Sequence, residues 1–379
     1  MAATQFASSY PTLHPGMVMP WTSRRAPAFP MDTAGLRYYY LARNAIHALA
    51  EVWNLRDQEV LFPAYFHGVE LETLLAAGVK LKFYPVDANM QVDAGVVASM
   101  ITPRTRAVYL IHYLGFPGPA AELSRICRQR GLPLIEDCAL ALLSRSEGKP
   151  LGSFGDASIF CLYKTLPVPN GGALWMRNPK VERPWPEITP PTLTSTMAYT
   201  ATAVYRHLRF NGGGVLHTLM QKARNSARSM SDQLGVVPVG DNHLDPAKVG
   251  LGMSGMCHWI LARQDYEGIV ERRRRNYSHL LDRLRRVSNP VFTELPEGVC
   301  PLFFPIRTQN KMAVLRRLLD MGVEAVNFWS KTPDIVPKRA FPEVDALRNT
   351  ILELPCHQDL TLEAADWIAD RIHELRTEL

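Results

Sequence analysis

The sequence lacks the features that mark disulfide-stabilised, metal-clustered and membrane-spanning proteins. Its six cysteines form no Cys-x-x-Cys pair and no metal-ligand spacing, and most lie in apolar surroundings. Buried free thiols in a reducing compartment are therefore favoured over disulfides, and no metal is expected. No run approaches the roughly 18 apolar residues that a membrane span needs. The segment Met1 to Tyr10 has no basic region followed by an apolar core, so we expect a cytoplasmic protein without a signal peptide.

A large excess of one charge is also missing. The net charge is +6, with 21% charged and 47% hydrophobic residues, which is typical of a globular protein. The basic residues are spread out and no binding motif accompanies them, so no nucleic-acid partner is expected. The one dense basic run, Arg272 to Arg275, lies in a helical pattern. It favours a solvated helix face, with an anion-binding role as the alternative.

The residues between 132 and 176 place opposite charges at one edge of a predicted sheet. One apolar strand ends at Glu136-Asp137, and the next, over residues 158–162, ends just before Lys164. Open α/β sheets bind ligands at that edge. Taken alone, the pair of Asp137 and Lys164 favours a salt bridge at a sheet edge.

The motifs around this edge resemble those of the sugar aminotransferases of the DegT/DnrJ/EryC1/StrS family, which are fold-type I pyridoxal-phosphate enzymes. The family has an acid-Asp-Ala-Ala motif, a Gly-Ser-Phe-Gly-Asp turn, a Schiff-base lysine, a Gly-Gly pair and a Leu-Pro-x-His-x-x-Leu-Thr signature. The matching residues here are Glu136-Asp137-Cys138-Ala139, Gly152 to Asp156, Lys164, Gly171-Gly172 and Leu354 to Thr361. With those motifs present, the salt-bridge reading of Asp137 and Lys164 becomes the weaker one.

The resemblance implies an α/β architecture of fold type I. We expect a large domain with a mainly parallel, seven-stranded sheet between helices, and a smaller C-terminal α/β domain. The expected divisions are an N-terminal arm over 1–35, the cofactor-binding domain over 36–252, and a linker helix with the small domain over 253–379. One long helical pattern, Met253 to Leu284, predicts the linker helix, and a short strand is predicted over residues 323–326. The arm either packs on another subunit or forms a loosely ordered tail.

The segment 181–252 is the part least similar to the family. It predicts two basic helices, over residues 193–209 and 215–230, which would cover a subunit interface or the mouth of an active site. A helix lying on a membrane surface is the alternative. The resemblance also implies a homodimer with shared active sites.

The resemblance implies pyridoxal 5′-phosphate as cofactor. Lys164 would be the Schiff-base lysine, and Asp137 the carboxylate that keeps the ring nitrogen protonated. Arg43 and Asn44 would hold the phosphate at a helix start, because unpaired backbone N–H groups point outward there. Without the resemblance, Asn44 is a plain N-cap. His67 takes the place of the aromatic residue that stacks on the cofactor ring.

Several of these positions keep an alternative. His67 could be a structural histidine, with Tyr65 as the reserve stacking residue. The family's phosphate-binding serine maps to Cys161, or is replaced in space by Ser158. His112 is expected to be in part structural, with contact to substrate or cofactor as the alternative.

The expected activity is transfer of an amino group from a glutamate-like amino acid to a keto-sugar nucleotide or related carbonyl, in surface-glycan or natural-product biosynthesis. The alternatives are other pyridoxal-phosphate chemistry on a non-sugar substrate and a non-catalytic binding protein. Lys164 argues against the non-catalytic reading. Leu140 stands where the family has Gln or His, which predicts a drier pocket.

Overall fold

A computed structural model of the chain describes residues 6–210, 244–330, 333–337 and 339–379. The strands are β1 Arg37–Tyr39, β2 Glu59–Pro63, β3 Lys80–Tyr84, β4 Thr105–Ile111, β5 Leu134–Asp137, β6 Arg145–Ser146, β7 Lys149–Pro150, β8 Ala157–Cys161, β9 Gly172–Met176, β10 Asn289–Pro290, β11 Phe303–Arg307 and β12 Ile351–Pro355. The helices are α1 Ala42–Val52, α2 Val69–Ala76, α3 Ala94–Met100, α4 Ala120–Gln129, α5 Leu162–Thr165, α6 Leu193–Phe210, α7 Gly255–Leu261, α8 Tyr266–Leu284, α9 Lys311–Asp320, α10 Pro342–Thr350 and α11 Leu362–Glu374.

Seven strands form one sheet in the order β1-β9-β8-β5-β4-β2-β3. Strands β3, β2, β4, β5 and β8 run parallel, whereas β9 is antiparallel to β8 and β1 is antiparallel to β9. Every residue of β5 and β8 is buried, as expected for parallel strands covered on both faces. The mainly parallel, seven-stranded sheet is confirmed.

A second, antiparallel sheet joins β10, β11 and β12 in that order. The predicted strand at 323–326 does not join it. Those residues form only isolated bridges, from Val323 to Ala7 and from Val326 to Glu353. The four-residue segment Val-Glu-Ala-Val is too short to show from sequence alone whether it pairs over its whole length.

The predicted linker helix is two helices. α7 ends at Leu261, and α8 begins after Asp265, whose carboxylate accepts a hydrogen bond from the backbone N–H of Gly268. A side chain that caps the backbone in this way starts a new helix. The apolar spacing continues across the break, so the periodic pattern concealed it.

The basic run at the middle of α8 is not a solvated face throughout, so that prediction was wrong for Arg273. Its side chain is completely buried. The guanidinium donates to Gln358 Oε1 at 2.7 Å, to the carbonyl of Leu302 at 3.1 Å and to the carbonyl of Thr165 at 3.2 Å. Arg273 therefore ties α8 to the last residue of α5, one residue after Lys164.

The N-terminal segment from residue 6 to residue 13 is packed on its own chain. Ala7 exchanges backbone hydrogen bonds with Gly322 and Glu324. The hydroxyl and N–H of Ser9 both donate to the Glu324 carboxylate at 3.0 Å. The reading of a loosely ordered tail is therefore wrong for these residues.

All six cysteines are buried free thiols, as the sequence predicted. Burial raises the pKa of the Cys161 and Cys257 thiols, which keeps both protonated. None of the helices in the described part of the chain combines the length and apolar content that a membrane crossing requires.

Candidate active site

A cavity of about 340 Å³ lies at the carboxyl ends of three neighbouring strands. Its wall includes Ile111, Asp137 and Cys161, the last residues of β4, β5 and β8. The volume and the position are typical of a small-molecule site in an α/β fold. Four of the six residues predicted from sequence line this cavity: Arg43, His67, Asp137 and Lys164.

Two adjacent acids at the end of β5 point in opposite directions, because side chains alternate along a strand. Glu136 is completely buried and faces the turn that precedes β8. Its carboxylate accepts hydrogen bonds from the backbone N–H groups of Gly152 at 3.0 Å and Phe154 at 2.8 Å. Glu136 therefore holds the turn in place, and Asp137 alone faces the cavity.

His112 belongs to the Glu136 side and does not line the cavity. Its Nδ1 accepts from the Gly118 N–H at 3.0 Å, so the proton lies on Nε2, which faces Glu136 Oε2 at 3.0 Å. With Cys138, these groups cluster closely enough to hold a metal ion. Both ring nitrogens are already used in hydrogen bonds, however, so His112 has the structural role.

Asp137 is buried, with 4% of its surface exposed. One carboxylate oxygen accepts from the Ala139 N–H at 2.8 Å and the other from the Tyr109 hydroxyl at 2.6 Å. Burial, and next the negative charge of Glu70, raise the pKa of Asp137 to about 6. A carboxylate in this environment is stabilised by a cationic group placed in the cavity.

Lys164 lies one turn beyond β8, in the short helix α5, and its side chain lines the cavity. Its ammonium lies 5.8 Å from the centre of the Phe328 ring. Within the described residues it forms neither a hydrogen bond nor an ion pair. The salt bridge to Asp137 that the sequence pattern allowed is therefore not formed.

His67 is on the loop between β2 and α2. The backbone N–H of His67 donates to the Glu70 carboxylate at 2.8 Å. The Arg348 guanidinium donates to the carbonyls of Phe66 and Ala64, both at 3.1 Å, and so holds the residues just before His67. Burial, and next the charge of Lys164, lower the pKa of His67 to about 3, so its ring is neutral.

Tyr65, the alternative stacking residue, does not line the cavity. Its ring packs against Trp329 at a centroid distance of 4.6 Å and against Tyr113 at 5.5 Å. Of the two candidates, only His67 presents a ring to the cavity.

The start of α1 is held against the lysine-bearing helix by the Gly171-Gly172 pair. The Gly171 N–H donates to the Tyr40 carbonyl at 2.8 Å, and its own carbonyl accepts from the Leu162 N–H at 2.9 Å. A Cβ on Gly172 would lie 2.3 Å from the Leu41 carbonyl, so only glycine allows this approach. The backbone itself therefore fixes Arg43 and the α1 N-terminus relative to Lys164.

Asn44 and Ser158 are not brought to the cavity. The N-cap of α1 is Leu41, and the Asn44 amide donates to the carbonyls of Lys248 at 2.7 Å and Val249 at 3.0 Å. The Ser158 hydroxyl donates to the Gly152 carbonyl. Cys161, three residues further along the strand, lines the cavity instead.

One wall of the cavity comes from residues that the sequence did not identify. Tyr10 and Pro11 of the N-terminal segment line it, together with Thr202, Ala203 and Arg206 of α6. The expectation that 193–209 covers the mouth of a site agrees with this position. The second predicted helix, over 215–230, lies outside the described residues.

Comparisons with known proteins find a family match over part of the chain and a similar fold. Residues 42–190 match the DegT/DnrJ/EryC1/StrS aminotransferase family. The dTDP-4-dehydro-2,3,6-trideoxy-D-glucose 4-aminotransferase of Saccharopolyspora spinosa is 33% identical over 126 residues, which span 32% of this chain and 33% of that protein. The erythromycin biosynthesis sensory transduction protein EryC1 of Saccharopolyspora erythraea is 26% identical over 83% of this chain and 78% of its own length.

Among solved structures, Helicobacter pylori PseC, an aminotransferase involved in the biosynthesis of pseudoaminic acid, matches with a TM-score of 0.69. The sequences are 15% identical, and the match covers 99% of this chain and 100% of that one. At this identity the likeness shows the fold alone, which is the expected fold type I.

Proposed function

Because residues 42–190 match the DegT/DnrJ/EryC1/StrS aminotransferase family, we propose that the chain is a pyridoxal-phosphate-dependent aminotransferase. It would move an amino group from a glutamate-like amino acid to a keto-sugar nucleotide or a related carbonyl. The observation that carries this proposal is that Asp137 and Lys164 line one cavity without pairing with each other. Relatives named for dTDP-, GDP- and UDP-linked products or substrates support the class of acceptor.

The residues of the cavity fit this cofactor in their chemistry. A buried carboxylate with a raised pKa, Asp137, suits a protonated ring nitrogen. Arg43 and the N-terminus of the eleven-residue helix α1 suit a phosphate, which a cation and unpaired N–H groups stabilise together. The side-chain nitrogen of Lys164, which forms no hydrogen bond or ion pair with the described residues, suits an aldehyde.

When bound, pyridoxal phosphate draws electrons from the substrate's Cα into its ring. Asp137 would hold a proton at the ring nitrogen, with Tyr109 fixing the orientation of its carboxylate. Lys164 Nζ would take the proton from the substrate's Cα and deliver it to C4′, the aldehyde carbon of the cofactor. The neutral ring of His67 would cover one face without adding a positive charge.

The wall that faces these groups is mostly apolar, with Leu140, Cys161, Val168 and Phe328 among its residues. Such a wall excludes water and strengthens the electrostatic interactions of Asp137 and Lys164. The family's polar residue three positions after the aspartate is replaced by Leu140. The orientation of the cofactor's pyridine ring would therefore depend on Asp137, Arg43 and His67.

We propose a homodimer with shared sites, in which α6 lies at or beside the interface. One face of α6 lines the cavity, while Leu193 and Met197, one turn apart, are 73% and 63% exposed. Exposed apolar groups of this kind often mark contact surfaces. Light scattering at dilute concentration tests this, and a stable monomer that keeps its cofactor would exclude shared sites. The six buried free thiols support the cytoplasmic location that we propose.

The test of the cofactor site is borohydride reduction of the holoenzyme followed by peptide mapping. We expect the label on Lys164, and a label on another lysine would overturn the assignment. Incubation with single amino acids, followed by absorbance, should show conversion of the cofactor to its amine form. Lys164→Arg keeps the positive charge and should abolish both the label and the conversion.

A further inference from the structure

Arg206 is a cation at the rim of the cavity. It lies on α6, in the segment least similar to the family, and is exposed while its side chain contributes to the cavity wall. Among the described residues it takes part in no hydrogen bond and no ion pair. It differs in this from Arg273 and Arg348, whose guanidinium groups are buried and bonded to backbone carbonyls.

The position of Arg206 is set by contacts on both sides of it along the helix. The Leu13 N–H donates to the Ala203 carbonyl at 3.4 Å, one turn before Arg206. Next to Arg206, His207 Nδ1 lies 3.0 Å from the Thr12 hydroxyl, and Thr12 is bonded in turn to Asp359. The N-terminal segment thus holds this part of α6 over the cavity.

The acids of the cavity do not neutralise Arg206. Glu70, in the first turn of α2, and Asp137, at the end of β5, are buried. Their carboxylates accept hydrogen bonds from His67, and from Ala139 and Tyr109, respectively. The nearby Tyr10 is also uncharged, because burial raises the pKa of its phenol. Arg206 therefore adds a positive charge at the point where a substrate would enter.

We propose that Arg206 binds the anionic oxygens of a substrate: the carboxylate of the amino donor or the phosphate of the acceptor. This inference rests on the proposed aminotransferase function. A planar guanidinium presents parallel N–H donors that match either group in a two-point contact. Arg43 and the α1 N-terminus remain for the cofactor, so Arg206 acts in specificity rather than in cofactor binding.

The donor arm of the test mixes holoenzyme with L-glutamate and follows cofactor absorbance. The variants are Arg206→Gln, Arg206→Lys and the control Arg130→Gln, which removes an exposed positive charge at the end of α4. If the carboxylate is the ligand, Arg206→Gln raises the apparent Kd about ten- to a hundredfold. The limiting rate and the cofactor content stay unchanged, Arg206→Lys recovers part of the affinity, and Arg130→Gln matches the wild type.

The acceptor arm measures calorimetric binding of UDP, GDP, dTDP and inorganic pyrophosphate to the same holoenzymes. If the phosphate is the ligand, the same loss of affinity occurs here and the glutamate Kd is unchanged. Unchanged affinity in both arms, or a wild type that binds none of these probes, overturns the role of Arg206. Loss of bound cofactor in Arg206→Gln also overturns it, since the residue would then hold the cofactor. A wild type that binds nucleotide but is converted by no amino acid refutes the aminotransferase and leaves Arg206 testable.

Discussion

The two faces of β5 put the same functional group to opposite uses. Glu136 faces the turn before β8 and accepts from backbone N–H groups of that turn and from His112. Asp137, its neighbour, faces the cavity and accepts from Ala139 and Tyr109. Both carboxylates are buried, and burial raises the pKa of Asp137 to about 6.

The difference lies in how many donors each acid receives. Backbone N–H groups compensate Glu136 for the water it has lost, and their positions fix the turn. Asp137 receives fewer donors and lies near another acid, Glu70, so its charge is stabilised incompletely. The acid with fewer donors is available to a ligand, and the fully bonded one maintains the site that the ligand enters.

The largest expected effect is the loss of turnover when Lys164, which lines the cavity, is replaced. Lys164→Ala should lower turnover by at least about a thousandfold, because the variant lacks the amine that we propose moves the proton. The unfolding transition should change little, since the ammonium makes no hydrogen bond or ion pair with the residues that the structure describes. Turnover and denaturant unfolding measure the two effects. Lys80→Ala, at an exposed site, is the control, and substantial residual turnover would refute the role.

On the face of β5 that contacts the turn before β8, Glu136→Gln should lower the free energy of unfolding by about 3 kcal/mol. The amide NH2 group of Gln would face the buried backbone N–H donors that the carboxylate now accepts from. Denaturant unfolding at constant m-value measures this. Glu122→Gln, on the exposed side of α4, should behave like the wild type. If Glu136→Gln instead spared stability and abolished chemistry, the two faces of β5 would not differ as described.

The pH dependence of stability tests the environment of Asp137. The pKa of Asp137 rises on folding from 3.8 to about 6, so the native state keeps a proton that the unfolded chain releases in this window. Stability of the cofactor-free chain therefore falls as pH rises from about 4 to 6, by up to about 3 kcal/mol, and this loss persists above 6.

Asp137→Asn should remove that dependence. Its amide can accept from Ala139 while the Tyr109 hydroxyl turns to accept from it. The cofactor-free variant should therefore match the wild type near pH 4 and exceed it in stability above pH 6. If the free energies of unfolding of the two proteins differed by the same amount at every pH, the raised pKa of Asp137 would be contradicted.

The same substitution should have the opposite effect on function. Asp137→Asn loses a charge-assisted contact worth roughly 1.5–3 kcal/mol, which lowers turnover about ten- to a hundredfold or more. Some cofactor should remain bound through the other groups. Steady-state turnover with cofactor content measured in parallel is the test, and near wild-type turnover would refute the role of Asp137.

The sequence predicts the parts of the site that local patterns determine. Asp137 and Lys164 follow apolar runs that end at one sheet edge, and the sheet brings them to one cavity. Strand alternation could also have excluded Ser158, because it lies three residues from Cys161 and therefore on the other face of β8.

Residues positioned by distant contacts were not predictable. Tyr10 and Arg206 reach the cavity through bonds between segments far apart in the chain. Arg273 is buried because carbonyls from Thr165 and Leu302 receive it. The periodicity of the local sequence does not indicate a hydrogen-bond partner that is distant in the chain.

The bonds of the N-terminal segment also determine when the cavity can be completed during synthesis. Ala7 pairs with Val323, and Thr12 bonds to Asp359, so both partners lie in the last part of the chain. Ala7 and Thr12 are synthesised well before Val323 and Asp359, so this segment must wait for those partners before it can take its place in the wall. The large sheet, whose strands lie between residues 37 and 176, can form much earlier. A nascent chain halted before residue 359 would carry Asp137 and Lys164 in a cavity still open on the side of Tyr10 and Arg206.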